Sequence, residues 1–216
     1  TDPLMPWINP AHLSMACVLA GQPPLPSGRP LVWAEVGCGN GLQACAVAAG
    51  DPTMEVWACD FNPAHVERAR RRAESAGLAN CTFVEASFQQ LIDDPSIGPA
   101  QVDVVVAHGV FTWVSKHNQA LIGEFIRRRL RPGGVAYMAY STSTGWSSIS
   151  TLAETMRLHA RASRLRSDVA VVEAAADVRR LADAGASFFP LAPRERNLVD
   201  LWDSSDPRYL AHDFLV

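Results

Sequence analysis

The stretch Glu35-Val36-Gly37-Cys38-Gly39-Asn40-Gly41 decides how the chain is read. It ends a short apolar run, Leu31–Val36, and leads into a small-residue run, Gly41–Ala49. The first reads as a buried strand and the second as a tightly packed helix. Glycines at such a turn let the backbone take positive φ and approach a ligand closely. The same spacing would also serve a tight turn with no ligand. Two details favour a ligand and limit its chemistry. A dinucleotide loop follows G-x-G-x-x-G; here the third glycine stands one residue early, at Gly41, and Leu42 holds the dinucleotide position. Glu35 lies just before the glycines. Its carboxylate would repel a diphosphate but is compatible with a ligand that presents an ammonium group and no phosphate.

Working outward, the pattern is regular. Glu55–Asp60 reads as a second strand, and Pro63–Ala76 as a helix with Pro63 in its first turn and Gly77 at its end. Cys81–Glu85 and Val102–Ala107 read as the third and fourth strands. A helix over Asn118–Leu130 is stopped by Pro132-Gly133-Gly134, and Val135–Ser141 reads as a fifth strand. Alternating strands and helices predict an α/β fold, a Rossmann-like, mostly parallel sheet. The near-continuous apolar strands predict helices on both faces. Ligands of such sheets sit at the carboxyl ends of the strands, which selects the loops after Val36, Asp60, Glu85, Ala107 and Ser141.

Upstream, a helix is expected from Asn9 to Leu19, with Asn9 as N-cap and Pro10 at its first position, followed by a linker over Gly21–Pro30. Downstream of Ser147, Ile149–Ala162, Val169–Ala184 and Arg194–Trp202 look helical, and Ala186–Phe189 is a weak strand candidate. The expected organisation is an N-terminal helix and Pro-rich linker (1–30), a ligand-binding α/β domain (31–147), and a helical segment (148–216) serving as lid, insertion or dimerisation element.

Composition bounds the function. Of 216 residues, 22 are acidic and 19 are Lys or Arg, a formal charge of -3. No basic excess points to nucleic acid, leaving only a local basic patch. The arginines at 68, 70–72, 127–129 and 131 read as solvated helix faces. The five cysteines are odd in number and none are in C-x-x-C spacing. Free thiols in a reducing, cytoplasmic setting are the expectation, with no metal centre. No apolar run reaches the ~18 residues of a membrane span, and no membrane association is expected. Leu13–Ala20 lacks the basic flank of a secretory signal. An opening Thr1 is expected of a trimmed or internal start.

Asp60 ends the second strand, where an acidic side chain accepts hydrogen bonds from ribose hydroxyls, and Phe61 after it could pack on adenine. A turn aspartate is the plainer reading. Ala86 and Ser87 follow the third strand, where an edge-on contact to an adenine amino group would come from; Ser87 could instead cap the next helix.

Together these residues resemble class I S-adenosylmethionine (SAM)-dependent methyltransferases. The E-x-G-C-G-x-G loop, the acidic residue after the second strand and the Leu130-Arg131-Pro132-Gly133-Gly134 turn match in order and spacing over roughly residues 30–145. The resemblance implies SAM as cofactor, held by Glu35, Gly37, Cys38, Gly39, Gly41, Asp60, Phe61, Ala86, Ser87 and His108. A narrower likeness runs through Ala107–Val114, Tyr140 with Gly145-Trp146, and Tyr209–Leu215. These resemble methyltransferases that carry a methyltransferase regulatory domain, some described as protein lysine methyltransferases. That implies a catalytic domain with a helical insertion, normally followed by a C-terminal region.

On the acceptor side, His108 at the end of the fourth strand is the candidate catalytic base; a histidine bonded to local backbone is the alternative. Trp113, Tyr140 and Trp146 are candidates for an aromatic wall around a cationic substrate, or plain core packing. The expected reaction is methyl transfer to an amine of a protein side chain or small molecule. Competing readings are a nicotinamide-dependent Rossmann oxidoreductase, against which Leu42 argues, and a non-catalytic SAM-fold interaction module. An aminopropyl transferase would need acidic polyamine-binding positions that are not found after the fourth strand. Class I methyltransferases usually end in a two-stranded hairpin beside the fifth strand. With helices there instead, the exposed strand edge is expected to be covered by the helical segment or by a second copy in a homodimer.

Overall fold

The computed structural model describes residues 4–202 together with Pro207, Leu210, Ala211 and Phe214. Tyr209, His212, Asp213 and Leu215 of the C-terminal motif lie outside the described residues. The chain divides into two compact units, Thr1–Tyr140 and Ser141–Val216.

The first unit is built on five parallel strands: β1 (Val32–Val36), β2 (Glu55–Asp60), β3 (Cys81–Glu85), β4 (Val102–Ala107) and β5 (Leu130–Met138), in the order β3-β2-β1-β4-β5. The order reverses between β1 and β4, so the crevice at their carboxyl ends is the binding place of a doubly wound sheet. Helices α1 (Pro10–Leu19), α2 (Leu42–Gly50), α3 (Pro63–Ser75), α4 (Phe88–Asp93) and α5 (Lys116–Arg129) complete the unit. One face of the sheet packs Trp33, Val56, Val104 and Val106 with residues of α2 and α3; the other packs Ala34, Trp57 and Val105 with Ile122 and Phe125 of α5. β4 is buried at every position, as expected for a strand covered on both faces.

The N-terminal segment belongs to this core. Asn9 caps α1 by accepting from the His12 N–H, and Ile8, Leu13 and Leu25 are buried in the α2/α3 cluster. α4 follows Ser87, which caps it, as the plainer reading of Ser87 expects. It is short and starts from a capping box between Ser87 and Gln90. β5 starts earlier than expected, at Leu130, which pairs with Val102. A register shift between Val102 and Val104 lets Pro132-Gly133-Gly134 run inside the strand rather than before it. Pro is tolerated there because β5 pairs with β4 on one side and stands at the sheet edge among the described residues.

The amino end of the sheet is held by Asp103, buried to 1% exposure on β4. It accepts from Arg29 at 2.9 and 2.5 Å, from the Val32 N–H at 2.9 Å and from Arg131 at 2.8 Å. Linker, β1, β4 and β5 are thereby joined by one carboxylate. Arg129 is buried and donates to the carbonyls of Pro95 and Pro99, and Arg70 donates to the Phe83 carbonyl. These three arginines, 70, 129 and 131, thus bond to the fold rather than forming solvated faces. Arg71 and Arg127 fit the solvated reading, paired on the surface with Glu67 and Glu124, while Arg128 pairs with Glu124 and also donates to the Ile92 carbonyl.

The second unit is helical: α6 (Ser143–Ser163), α7 (Ser167–Asp183), α8 (Phe188–Leu191) and α9 (Pro193–Leu201). Its core joins Leu152 and Met156 of α6 with Val171 and Val178 of α7, Phe189, Val199 and Trp202. The weak strand candidate Ala186–Phe189 is instead a turn running into α8, where Phe189 folds back to bond the Ala186 carbonyl and buries its ring. Glu195, 3% exposed, accepts a short hydrogen bond from the Ser148 hydroxyl. Among the described residues no helix is long and apolar enough to cross a membrane.

Burial pushes the Asp103 carboxyl upward, but its bonds from Arg29, Val32 and Arg131 outweigh that and hold it at about 2. Asp103→Ala is expected to cost about 3 kcal/mol in urea unfolding, the low end for breaking a buried pair because both arginines stay partly hydrated. With the folded value below the ordinary ~3.9, this stability is present above that value and is lost as pH falls through about 2. Unfolding midpoints measured from pH 6 downward should therefore fall less steeply in Asp103→Ala than in the native chain.

Candidate functional site

The glycine loop lies between β1 and α2 at the carboxyl edge. Gly37, Gly39 and Gly41 have φ of 73°, 54° and 72°, a region that costs other residues roughly 1–2 kcal/mol. Their surroundings differ. A Cβ on Gly37 would stand 2.5 Å from Val110 Cγ2, and one on Gly41 would stand 2.6 Å from Ala69 Cβ. Those two glycines allow close packing against the β4 loop and α3. At Gly39 nothing lies within 4 Å of the Cβ position. The middle of the loop is therefore open on the side where a ligand would approach.

The loop is tied to β2. The N–H groups of Gly37 and Cys38 donate to the Cys59 carbonyl at 2.8 and 2.9 Å. The Gly39 N–H donates to Asp60 Oδ2 at 2.9 Å. Asp60 Oδ1 accepts from the Asn62 N–H at 2.9 Å, and His65 Nδ1 stands 3.3 Å from it. Asp60 is 7% exposed. An ionised carboxylate offers about four acceptor positions, so two backbone bonds leave capacity for a ligand diol. Asp60 therefore also fulfils its plainer reading as a turn aspartate. Phe61 beside it is 73% exposed, a large aromatic surface left at the edge of the crevice.

Glu35 is buried under the loop. Burial, with Cys45 nearby, raises its carboxyl to about 8 against the opposing bond from the Ala44 N–H. Its Oε2 has no hydrogen-bond partner. An unpartnered buried acceptor is costly. A cationic donor would supply what it lacks.

After β3, the Ala86 N–H donates to the Asp60 carbonyl. Ser87 commits its N–H and hydroxyl to the capping box with Gln90, so its side chain serves the helix start. After β4, the loop that carries Val110 packs on Gly37, bringing the neighbourhood of His108 to the glycine loop. His108 is half-buried, its Nδ1 is buried without a partner, and desolvation holds the imidazole below its ordinary pKa. The reading of a histidine bonded to local backbone finds no support at Nδ1. Tyr137 of β5 stacks on the ring at 6.1 Å, and Phe111 meets Tyr140 edge-on at 6.1 Å. The Phe111 carbonyl is held by the Gln119 side chain at 2.8 Å. Trp113 is half-buried, and its N–H bonds the Val110 carbonyl. Trp146 lies on α6 and packs against the core of the second unit, which is the core-packing reading.

Tyr137 and Phe111 were not singled out in the sequence. Tyr137 alternates with its neighbours as any edge-strand aromatic does, and Phe111 sits inside the Ala107–Val114 motif, which was the available signal. Among the described residues no group of three His, Cys, Asp or Glu side chains could hold a metal.

Comparison with known proteins agrees with this geometry. A family model described as a methyltransferase domain matches residues 34–134. The chain is 28% identical to sll1526, an uncharacterized protein of Synechocystis, over 96% of this chain and 40% of that one. It is 31% identical to RP028 of Rickettsia prowazekii over 63% of this chain and 52% of the relative. The solved structure of PKMT2 from Rickettsia typhi in complex with AdoHcy matches with a TM-score of 0.80 at 27% identity, covering 99% of this chain and 41% of that one. The chain thus spans about two fifths to one half of the length of these relatives. Sheet order, glycine loop and these matches together give residues 34–134 the fold of a class I SAM-dependent methyltransferase domain.

Proposed function

We propose that the chain transfers the methyl group of SAM to an amine nitrogen of a protein side chain or small molecule. The observation that carries the reading is the open, left-handed Gly39 turn bonded to the Asp60 carboxylate above the unpartnered oxygen of Glu35. Asp60 takes the ribose hydroxyls, Phe61 covers the adenine, and the backbone at Gly37, Cys38, Gly39 and Gly41 shapes the amino-acid end. Ala86 and Ser87 contribute backbone at the adenine edge. Glu35 faces the ammonium group. A phosphate-bearing dinucleotide finds no matching charge there, which disfavours the oxidoreductase reading.

SAM supplies an electrophilic methyl on a sulfonium. The chain's part is to align the nucleophile and exclude water. Desolvation shifts His108 toward its neutral form, so its imidazole can take the proton that an ammonium substrate must lose. Tyr137 fixes its ring plane, and Phe111, Trp113 and Tyr140 offer π-faces that attract a cation. Support for an amine acceptor comes from the likeness to PKMT2 and from this pairing of a desolvated base with aromatic walls.

A screen with methyl-labelled SAM against lysine-containing peptides and small amines tests the reaction. Label in an amine supports it; label only in hydroxyl or thiol acceptors contradicts the acceptor class. Asp60→Ala and Gly39→Val are each expected to weaken AdoHcy binding by about 1.5–3 kcal/mol, the scale of losing charge-assisted hydrogen bonds. Calorimetry finding either variant at native affinity would refute that assignment. The pH profile tests His108. The neutral imidazole is the active form, so turnover should fall as pH drops through a value below ~6.5. His108→Ala should be slower and lose that limb; an unchanged profile would remove His108 from proton transfer. An ammonium beside Glu35 favours its ionised form. AdoHcy binding at pH 7 should therefore release up to about one proton, read in buffers of different ionisation heat, and Glu35→Gln should abolish the release.

A further inference from the structure

The segment before α1 is fastened to the start of α2 by one side chain. The Met5 N–H donates to Gln43 Oε1 at 3.1 Å, and Gln43 Nε2 donates to the Ile8 carbonyl at 2.6 Å. Between those two bonds the chain makes a tight turn. The Ile8 N–H closes it on the Met5 carbonyl at 3.0 Å, with Pro6 at the second position and Trp7 at the third. The Asn9 side-chain amide donates to the Pro6 carbonyl, and Ile8 is fully buried.

Gln43 sets where this turn lies. It stands two residues past Gly41, a rise of about 3 Å along the helix, and a helical Cβ tilts toward the helix N-terminus. Its amide therefore holds the turn at the end of α2 that the glycine loop opens. Met5 packs against the cluster that contains Cys38 of the loop and that Tyr137 of β5 also joins. No Asp, Glu, Lys or Arg occurs from Leu4 to Gly28, so the surface offered is apolar. Trp7 is 51% exposed on a turn bonded at both ends. Its indole has apolar area to give a ligand, and the backbone beneath it is already ordered.

We propose that the Met5–Ile8 turn walls the homocysteine end of the cofactor site. Trp7 packs its indole on the methylenes and sulfur of that end, and Gln43 is the positioning residue that holds the turn there. The proposal rests on the reading of SAM as the cofactor seated over the glycine loop. The charged groups of the ligand stay with Glu35 and the loop backbone, and Trp7 adds apolar contact between them.

The test is calorimetric titration with AdoHcy of the native chain, Trp7→Ala, Trp7→Phe, Gln43→Ala and the variant that combines Trp7→Ala with Gln43→Ala. Unfolding midpoints are measured on each chain without ligand. Trp7→Ala should bind about tenfold more weakly, the scale of losing one aromatic contact, at a native unfolding midpoint. Trp7→Phe should restore most of the affinity. Gln43→Ala should weaken binding by a similar factor, and the combined variant should bind no more weakly than Trp7→Ala, since one side chain acts through the other. Native affinity in Trp7→Ala, or full additivity in the combined variant, would overturn the proposal and leave the cofactor reading in place. A folded native chain that binds no AdoHcy would overturn both.

Discussion

The hydrogen bond from the Gly39 N–H to Asp60 Oδ2 is the constraint on which the site depends. It joins the turn after β1 to the end of β2, so two strands paired in register also present their loops in register. Gly39 must be left-handed to aim its N–H sideways at the carboxylate. Gly37 and Gly41 must lack side chains so that Val110, Ala69 and Phe83 can close around the loop. The acid is thereby oriented before any ligand arrives, and the orientation is built from backbone rather than from a mobile side chain. Preorganised acceptors of this kind cost little to use at the moment of binding.

The two ends of the sheet divide the work. At the amino end, Asp103 gathers Arg29, Arg131 and the Val32 N–H, and its charges are matched. At the carboxyl end, Glu35 Oε2 and His108 Nδ1 are titratable side-chain atoms buried without partners. Folding alone does not favour such groups. Their place around the glycine loop and the β4 loop is what a ligand-binding end requires, and the burial that makes them costly also shifts both toward their neutral forms.

Much of this was legible in the sequence because the relevant signals are local. β2, β3 and β4 begin and end where their apolar runs do, and Asn9-Pro10 and Pro63 mark helix starts by their own chemistry. The glycine loop and Asp60 were legible as a spaced motif. What escaped depends on partners distant in sequence. Leu130 joins β5 because Val102 pairs with it, and no local pattern announces a strand through Pro132-Gly133-Gly134. Ala186–Phe189 has strand-like residues but folds as a turn and helix so that Phe189 can reach the α6/α7 core. Arg129 and Arg131 look like surface charge until Pro95, Pro99 and Asp103 are placed beside them. Tyr137 acquires a role only through the neighbour that β4 supplies.

The chain's cofactor assignment rests on a loop that separates SAM from phosphate-bearing nucleotides by charge and by the position of its third glycine. The most direct test is calorimetric titration of the native chain with AdoHcy and, in parallel, with NAD under the same conditions. The account predicts saturable AdoHcy binding at one site per chain and no detectable NAD binding. NAD binding as tight as AdoHcy, or no AdoHcy binding by a folded chain, would contradict it.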